Sequence, residues 1–349
     1  MRTVSLDARQ KIWPMVAVYS VAHFLVDFAC AFLIFRMIIG TTEVAFCILL
    51  YNFCAFAMQM PLGLLADRLN RNALCAGIGC LLIATAFCVG PIPVSVVILL
   101  GLGNALFHLG GGIDVLNVSE RRSGPLGVFV SPGALGLFLG ALVGRAALMP
   151  VSPLVGILML TAGALLAVRR LFPGAYRDNA VVSIGRAGSS PLLMVAVCLF
   201  LVVIIRSFVG LSLDFPWKSL GHWGILLVGA VVLGKTAGGF LADRFGPVKV
   251  SSVSLGLAAV LFLVSPLPIA GLLAVFAFNM TMPITLWAMA KEFPGARGFS
   301  FGLLTFGLFL GFLPVHLGVG VPEGFSGIFP LLSILSLVLL VYALRKAKR

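Results

Sequence analysis

The chain of 349 residues is 61% hydrophobic and only 10% charged, and its mean hydropathy is +1.16. This composition excludes a soluble globular domain of that length, because too few polar residues are present to cover its surface. A helix needs about 20 mainly apolar residues to cross a bilayer, since every backbone amide in lipid must bond within the helix. The sequence therefore predicts a polytopic α-helical membrane protein.

Twelve apolar stretches follow one another along the chain. They cover residues 12–35, 42–66, 73–90, 93–117, 124–146, 151–168, 191–213, 221–241, 249–264, 268–290, 297–320 and 326–344. The most polar segment, 169–190, separates six stretches from six, and we interpret it as a cytoplasmic linker. We therefore predict an N-terminal six-helix bundle over 1–168 and a C-terminal six-helix bundle over 191–349.

The net charge of +13 is distributed in a way that indicates membrane orientation. With the N-terminus inside, 19 of the 24 Lys and Arg residues fall in the tails and loops on that side, whereas Arg36, Arg145 and Lys218 fall outside. An excess of cations in cytoplasmic loops sets the orientation of membrane proteins. Both termini are therefore expected in the cytoplasm, and a bacterial inner membrane is the expected location. The charge is explained by anionic lipid, so no nucleic-acid partner is expected.

Two sequence motifs recur in the two halves. GLLADR from Gly63 matches GFLADR from Gly239 at an offset of 176 residues, and GLFLG from Gly136 matches GLFLG from Gly307 at an offset of 171. Two offsets of about half the chain indicate an internal duplication. Because each half has an even number of spans, both halves share one topology, which is typical of transporters with a midplane site between the halves.

The first motif resembles a signature of the major facilitator superfamily. Its residues are Gly63, Asp67, Arg68 and Arg71 between spans 2 and 3, and Gly239, Asp243 and Arg244 between spans 8 and 9. The resemblance extends to the whole chain through the span count, the linker and the duplication. It implies twelve transmembrane helices in two pseudo-symmetric six-helix bundles, alternating access, and a cytoplasmic gate formed by the motif. The alternative interpretation of the motif is positive-inside charge with a helix cap.

A narrower resemblance rests on three segments. HFLVD from His23 in span 1, GNALFH from Gly103 in span 4 and RSFV from Arg206 in span 7 are similar to the fosmidomycin-resistance branch of the superfamily. Members of this branch export small molecules against a proton gradient. The resemblance therefore implies proton-linked efflux of a small organic solute.

Two polar pairs lie in the middle of apolar spans. His23 and Asp27 are four residues apart and share one helix face, and Asn104 and His108 repeat this spacing on span 4. Ionisable groups at this depth cost roughly 3 kcal/mol or more each, so they face a cavity or a partner. We interpret these residues as a substrate and proton site. The alternative is that they satisfy one another in a helix contact.

Further site candidates lie in the second half. Arg206 in span 7 keeps its charge and needs an anionic partner, which is either Asp27 or an anionic substrate. Asn279 and Trp287 on span 10 are possible cavity groups, although a membrane tryptophan is also a common packing residue or interfacial anchor.

Asp114 is assigned to the gate rather than to the substrate site. It follows His108 by six residues, which turns it by about 120° and moves it about 9 Å toward the cytoplasm. We therefore expect an ion pair between Asp114 and the motif arginines, with Arg71 as the first choice. Glu120, at the end of the same span, competes for this role.

These observations predict a monomeric secondary transporter for a small organic solute, with protons as the coupling ion. Uptake of an anionic solute on Arg206 is the alternative within transport, and a receptor or scaffold on the same fold is the alternative outside it. The sequence has no Ser/His/Asp or Cys/His arrangement, paired-carboxylate site or phosphate-binding motif, so no enzymatic activity and no cofactor are expected. No Cys/His cluster with metal-ligand spacing appears, so no metal site is expected.

Overall fold

The computed structural model describes residues 12–90, 92–120, 122–181, 190–321 and 327–347. Within these ranges, ten helices are long and apolar enough to cross a membrane, and two shorter apolar helices complete the series. The helices are α1 (Trp13–Ile38), α2 (Val44–Leu69), α3 (Asn72–Ala86), α4 (Pro93–Ser119), α5 (Gly124–Ala146), α6 (Ser152–Leu171), α7 (Leu192–Ser212), α8 (Trp223–Phe245), α9 (Pro247–Leu263), α10 (Pro268–Glu292), α11 (Arg297–His316) and α12 (Ile328–Lys346). The prediction of twelve membrane-spanning helices is confirmed.

The two short helices occupy equivalent places in the repeat. The 15 residues of α3 and the 17 residues of α9 extend about 23 and 26 Å, less than a hydrocarbon core of about 30 Å. Each begins directly after a motif turn. The turn residue Asn70 has φ 49° and ψ 42°, and its counterpart Gly246 has φ 91°. Asparagine is among the few residues besides glycine that adopt positive φ readily, so both copies reverse the chain at the same point.

Four of the described helices are interrupted, namely α1, α2, α5 and α10, and in α2 a π-helical turn covers Phe53–Ala57. In α1, α-helical geometry ends at Leu33 and a π-helical turn follows over Ile34–Ile38. In α5 the helix breaks between Val130 and Pro132, because Pro132 has no N–H to donate to the carbonyl four residues earlier. In α10 the helix breaks at Met280.

The chain divides into two compact units. One comprises Met1–Glu120, Val128–Val182 and Gly295–Gly302, and therefore contains α1–α4, α6, most of α5 and the start of α11. The other comprises Arg121–Gly127, Ser183–Pro294 and Leu303–Arg349. The bundle boundaries at 168 and 190 remain a prediction, and residues 182–189 of the linker lie outside the described ranges. Helix α6 continues to Leu171, where two arginines in its last turn favour the negative helix end.

Glycines determine which helices pack closely within each unit. In the first unit, an added Cβ on Gly136, Gly140 or Gly144 of α5 would clash with a backbone carbonyl of α1. In the second unit, Gly238 of α8 faces the carbonyl of Met280 in α10 in the same way. These contacts agree with the small-residue spacing that allows membrane helices to approach closely.

Candidate functional site

Three ionisable side chains of the first unit meet between α1 and α4. His23 Nε2 lies 2.9 Å from His108 Nε2 and 3.2 Å from Asp27 Oδ2, and His108 Nε2 lies 3.8 Å from Asp27 Oδ1. His23 and Asp27 are each 6% exposed, and His108 is half-buried. The two polar pairs that the sequence indicated on separate helices therefore form one group. We call these three residues the His-His-Asp cluster.

Asn104 is hydrogen-bonded to the cluster. Its Nδ2 donates to Asp27 Oδ1 at 3.0 Å, and the residue is 2% exposed. Asn104 Oδ1 is buried and has no hydrogen-bond partner within the described part of the chain. A buried acceptor without a donor costs free energy, so this oxygen is a place where a bound molecule would be stabilised.

Two backbone carbonyls fix the tautomers of the histidines. His23 Nδ1 lies 2.7 Å from the carbonyl of Phe129, and His108 Nδ1 lies 2.9 Å from the carbonyl of Asn104. A carbonyl oxygen only accepts hydrogen bonds, so each Nδ1 donates. A neutral imidazole has a single N–H. When both rings are neutral, their Nε2 lone pairs therefore face each other beside the Asp27 carboxylate. A cation among these atoms, either a proton or a metal ion, would remove the repulsion between the lone pairs and the carboxylate.

The break in α5 brings that helix onto the cluster. The Phe129 carbonyl, which accepts from His23, lies just before the break, and Gly133 lies just after it. An added Cβ on Gly133 would clash with both the His23 imidazole and the Asp27 carboxylate. Gly133 therefore lies directly against the cluster.

A buried arginine lies in the second unit. Arg206 of α7 is 8% exposed, and its Nη2 donates to Thr281 Oγ1 at 2.6 Å. Its Nε and Nη1 are buried without a hydrogen-bond partner, and it forms no ion pair within the described ranges. A guanidinium in this position is strongly stabilised by an anion. Thr281, directly after the break in α10, was not identified as a site residue from the sequence. The sequence feature that could have indicated it is a polar residue two positions before Pro283 in an apolar span.

The two other site candidates of the second unit make local contacts. Asn279 Nδ2 donates to the carbonyl of Val275 in its own helix at 2.9 Å. The ring of Trp287 lies 5.2 Å from Lys291 Nζ, which is a cation–π distance. Their roles in a substrate site remain predictions.

The first motif copy binds the start of α11. Asp67 is 4% exposed, and its carboxylate accepts from the backbone N–H of Gly298 at 2.7 Å and from that of Phe299 at 3.0 Å. Gly63 lies one turn earlier, and a Cβ there would clash with the backbone of Gly298. The adjacent Arg297 donates from Nη1 to Asn117 Oδ1 of α4 at 2.7 Å.

The second motif copy binds the start of α5 in the same way. Asp243 accepts from the backbone N–H of Ser123 at 2.6 Å and from that of Gly124 at 2.9 Å. Ser123 Oγ donates to the carbonyl of Gly239 at 2.9 Å, and a Cβ on Gly239 would clash with the Ser123 carbonyl.

The motif arginines are exposed and make no ion pairs within the described ranges; they are Arg68, Arg71 and Arg244. The expected pair between Arg71 and Asp114 is therefore wrong. Asp114 accepts from Tyr19 Oη at 2.7 Å and from Asn72 Nδ2 at 2.8 Å. Asp114 is 2% exposed, whereas Arg71 points outward at the start of α3 and only the next residue, Asn72, turns inward.

Two side chains after α6 complete the polar contacts at this end of the first unit. Arg177 forms an ion pair with Glu120, so Glu120 does not bind the motif arginines. Asn179 Oδ1 accepts from Asn72 Nδ2 and Asn117 Nδ2, both at 2.8 Å. Its backbone N–H donates to Asn70 Oδ1 at 2.9 Å. Asn179 was not identified from the sequence, because it lies in a polar segment that resembles a solvated linker.

Comparison with known proteins shows which solved structures have a similar fold. No protein-family model matches the sequence, and no curated protein matches it. Three solved structures are similar over nearly their full length. They are the E. coli fucose:proton symporter FucP (15% identity, TM-score 0.65, 97% of this chain and 98% of that one), the human organic anion transporter MFSD10 (16%, 0.66, 95% and 99%) and a bacterial homologue of the iron transporter ferroportin (14%, 0.62, 96% and 98%).

At these identities the likeness concerns the fold. The predicted fold class, an all-α integral membrane protein with twelve transmembrane helices in two six-helix bundles, is confirmed. Assignment to the fosmidomycin-resistance branch remains a prediction. The chain has the fold of the major facilitator superfamily.

Proposed function

We propose that the protein is a secondary active transporter that exports a small organic solute in exchange for protons. The observation that carries the proposal is the His-His-Asp cluster, a buried polar group in otherwise apolar helices. Ionisable groups at this depth cost several kcal/mol and usually mark a transport pathway. Similar solved structures named as transporters support the same conclusion, and one of them is a proton symporter.

Proton coupling follows from the hydrogen-bond pattern of the cluster. Both Nδ1 atoms donate to carbonyls, so the facing Nε2 atoms and the Asp27 carboxylate take up one cation together. Gain or loss of a proton changes the charge of the cluster by one unit, and such a change can bias two conformations. Cys30 of α1 and Tyr51 of α2 are further titratable groups that interact with Asp27, and α5 contributes the carbonyl and ring of Phe129 and the backbone of Gly133.

A second candidate function is proton-coupled uptake of an anionic solute. It is favoured by Arg206, whose Nε and Nη1 have no hydrogen-bond partner although they are buried. A carboxylate or phosphate group of a solute would satisfy both donors, because the guanidinium presents its N–H groups in a planar fork. In export by exchange, the solute moves in the direction opposite to the protons, whereas in coupled uptake it moves in the same direction as the protons.

Several further features are part of this proposal. The transporter acts as a monomer in a bacterial inner membrane, with both termini in the cytoplasm, and it needs no cofactor. A receptor or scaffold with the same fold would bind a solute without moving it.

Transport by the full-length chain in proteoliposomes tests the proposal. Solutes are first selected by the rise in unfolding temperature that they cause in the purified protein. Export in exchange for protons predicts that such a solute accumulates in vesicles with an acidic interior and that its entry makes the interior less acidic, measured with an enclosed pH-sensitive dye. Solute uptake by vesicles with an acidic exterior would favour the second candidate. Binding without movement in either gradient would contradict transport and favour a receptor.

A further inference from the structure

We propose that the His-His-Asp cluster binds one divalent transition-metal ion, with His23 Nε2, His108 Nε2 and a carboxylate oxygen of Asp27 as ligands. No spacing in the sequence predicts such a site, because His23 and His108 are 85 residues apart. The proposal concerns the cluster alone and does not depend on transport.

The distances between the ligand atoms fit a single ion. All three groups offer ligand atoms within 4.8 Å of one another. Two nitrogens at about 2.05 Å from a metal lie about 2.9 Å apart at a right angle and about 3.3 Å apart at the tetrahedral angle. The separations here are 2.9 Å between the two Nε2 atoms, 3.2 Å from His23 Nε2 to Asp27 Oδ2 and 3.8 Å from His108 Nε2 to Asp27 Oδ1. The two carboxylate separations involve different oxygens of Asp27, and all ligand atoms lie within 4.8 Å of one another, so side-chain shifts of about 0.5 to 1.5 Å bring one oxygen and both nitrogens to bonding distance.

All three ligands are held in the orientation that a metal requires. Metal-binding histidines usually donate their second ring N–H to a carbonyl or carboxylate, which fixes the tautomer and directs the other nitrogen at the metal. His23 and His108 both do so, through the carbonyls of Phe129 and Asn104. The Asp27 carboxylate is held by Asn104 Nδ2. The ligand lone pairs are thus already directed at one another, and binding an ion removes their repulsion.

The set of donors indicates the class of metal. Two imidazoles and one carboxylate suit Zn²⁺, Co²⁺, Ni²⁺ or Fe²⁺, whereas Mg²⁺ and Ca²⁺ prefer oxygen ligands. Three protein ligands leave at least one coordination position for water. Asn104, whose Nδ2 holds Asp27, has a buried Oδ1 with no donor in the described part of the chain, and a metal-bound water is one donor that would satisfy it. Asn104 therefore serves as a second, independent indication of a bound ligand.

Equilibrium binding to the full-length chain tests the proposal. The protein is purified without a polyhistidine tag, treated with a chelator and titrated with Zn²⁺ by calorimetry. We expect one ion per chain, a rise in unfolding temperature, and an absorption spectrum with Co²⁺ that is typical of nitrogen ligands. His23→Gln and His108→Gln should each weaken binding at least about 10-fold, since even loss of an outer hydrogen-bond partner costs 10- to 100-fold.

The other two histidines, His222 and His316, provide the matched control. They lie in the second unit and outside the cluster, so the double variant His222→Gln/His316→Gln should bind Zn²⁺ as the unchanged chain does. The proposal is overturned if the unchanged chain binds no ion, or if this control loses binding while the His23 and His108 variants keep it.

A glycine variant tests metal binding without removing any of the three ligands. Gly133→Ala keeps every ligand but adds a methyl group against His23 Nε2 and Asp27 Oδ2, so it should weaken Zn²⁺ binding at least about 10-fold. Gly163→Ala, which adds a methyl group where no atom lies within 4 Å, should change nothing. Equal Zn²⁺ affinity in both glycine variants would contradict the assignment. Proton-driven transport measured in excess chelator reports on the proposed function separately, so either proposal can fail alone.

Discussion

Asp67 and Asp243, 176 residues apart, make the same contact in the two copies of the motif. Each carboxylate accepts two backbone N–H groups from the first turn of a helix, α11 for Asp67 and α5 for Asp243. These N–H groups have no partner within their own helix, and the helix dipole places positive charge there. Each contact is worth about 1 kcal/mol. We infer that the two carboxylates stabilise one state of a cytoplasmic gate.

The first prediction concerns this gate. Asp67→Asn and Asp243→Asn keep a side-chain oxygen but remove the charge, so each should destabilise the contact by about 1 kcal/mol, which corresponds to about fivefold in an equilibrium. Turnover in proteoliposomes should fall by a comparable factor, whereas solute affinity measured by calorimetry should stay the same, because the substrate site is predicted elsewhere.

Glu43→Gln is the control for charge removal, because Glu43 is exposed at the N-cap position of α2 and its side chain makes no capping hydrogen bond. Its turnover should equal that of the unchanged chain. If both aspartate variants also transport at the full rate, the motif copies serve only as topology signals.

The fold could be predicted largely from hydropathy and repeats. The span 124–146 coincides with α5, since the bilayer requires a continuous apolar helix of limited length. The left-handed turn at Asn70 was not predicted, because the sequence has glycine at this point only in the second copy of the motif, at Gly246. The π-helical turn at the end of α1 was not predicted either, because it has no signal in the apolar pattern.

The sequence predicted contacts in the site only between residues of the same helix. Four-residue spacing paired His23 with Asp27 and Asn104 with His108, but only the packing of α1 on α4 brings the pairs together. The error at Asp114 has the same origin. Sequence distance predicted its depth in the membrane but not which side chains of α1 and α3 would point toward it.

A second prediction concerns Asn179. Asn179→Ala removes one acceptor from each of two buried amide groups, those of Asn72 and Asn117, which are 2% and 1% exposed and keep their contacts with Asp114 and the Arg177 carbonyl. An unsatisfied buried donor costs about 1–3 kcal/mol, so the variant should lose about 2 kcal/mol of stability and unfold roughly 3 °C lower. Thermal unfolding of the purified protein measures this. Asp178→Ala, at the exposed neighbouring position, should unfold as the unchanged chain does. An equal unfolding temperature for both variants would show that the contacts of Asn179 do not stabilise the fold.

A third prediction concerns Arg206. If its free guanidinium N–H groups hold an anionic solute, Arg206→Ala should weaken solute binding by at least about 2 kcal/mol, or roughly 30-fold, because a charge-assisted contact is lost. Thr281→Val removes only the neutral partner of Nη2 and should have a smaller effect on affinity. Calorimetry with a solute found in the thermal screen measures both. Unchanged affinity in Arg206→Ala would exclude the arginine from the site.

A fourth prediction concerns topology. In a variant without native cysteines, Gly174→Cys after α6 should react with a membrane-impermeant thiol reagent only from the cytoplasmic side, and Thr42→Cys before α2 only from the opposite side. Both positions are exposed, so the reagent can reach them. Labelling with the sides reversed would contradict the orientation that the Lys and Arg distribution predicts.

The last prediction concerns coupling. Asp27 supplies the negative charge of the His-His-Asp cluster, so Asp27→Asn removes the group that holds a proton together with His23 and His108. Accumulation of solute under a pH gradient should be lost, because no proton then moves with each cycle, whereas exchange of solute across the same vesicles should continue. Asp214→Asn, at an exposed position after α7, should leave both activities intact. An Asp27→Asn variant that still concentrates solute would instead assign the proton to His108, whose Nε2 faces His23.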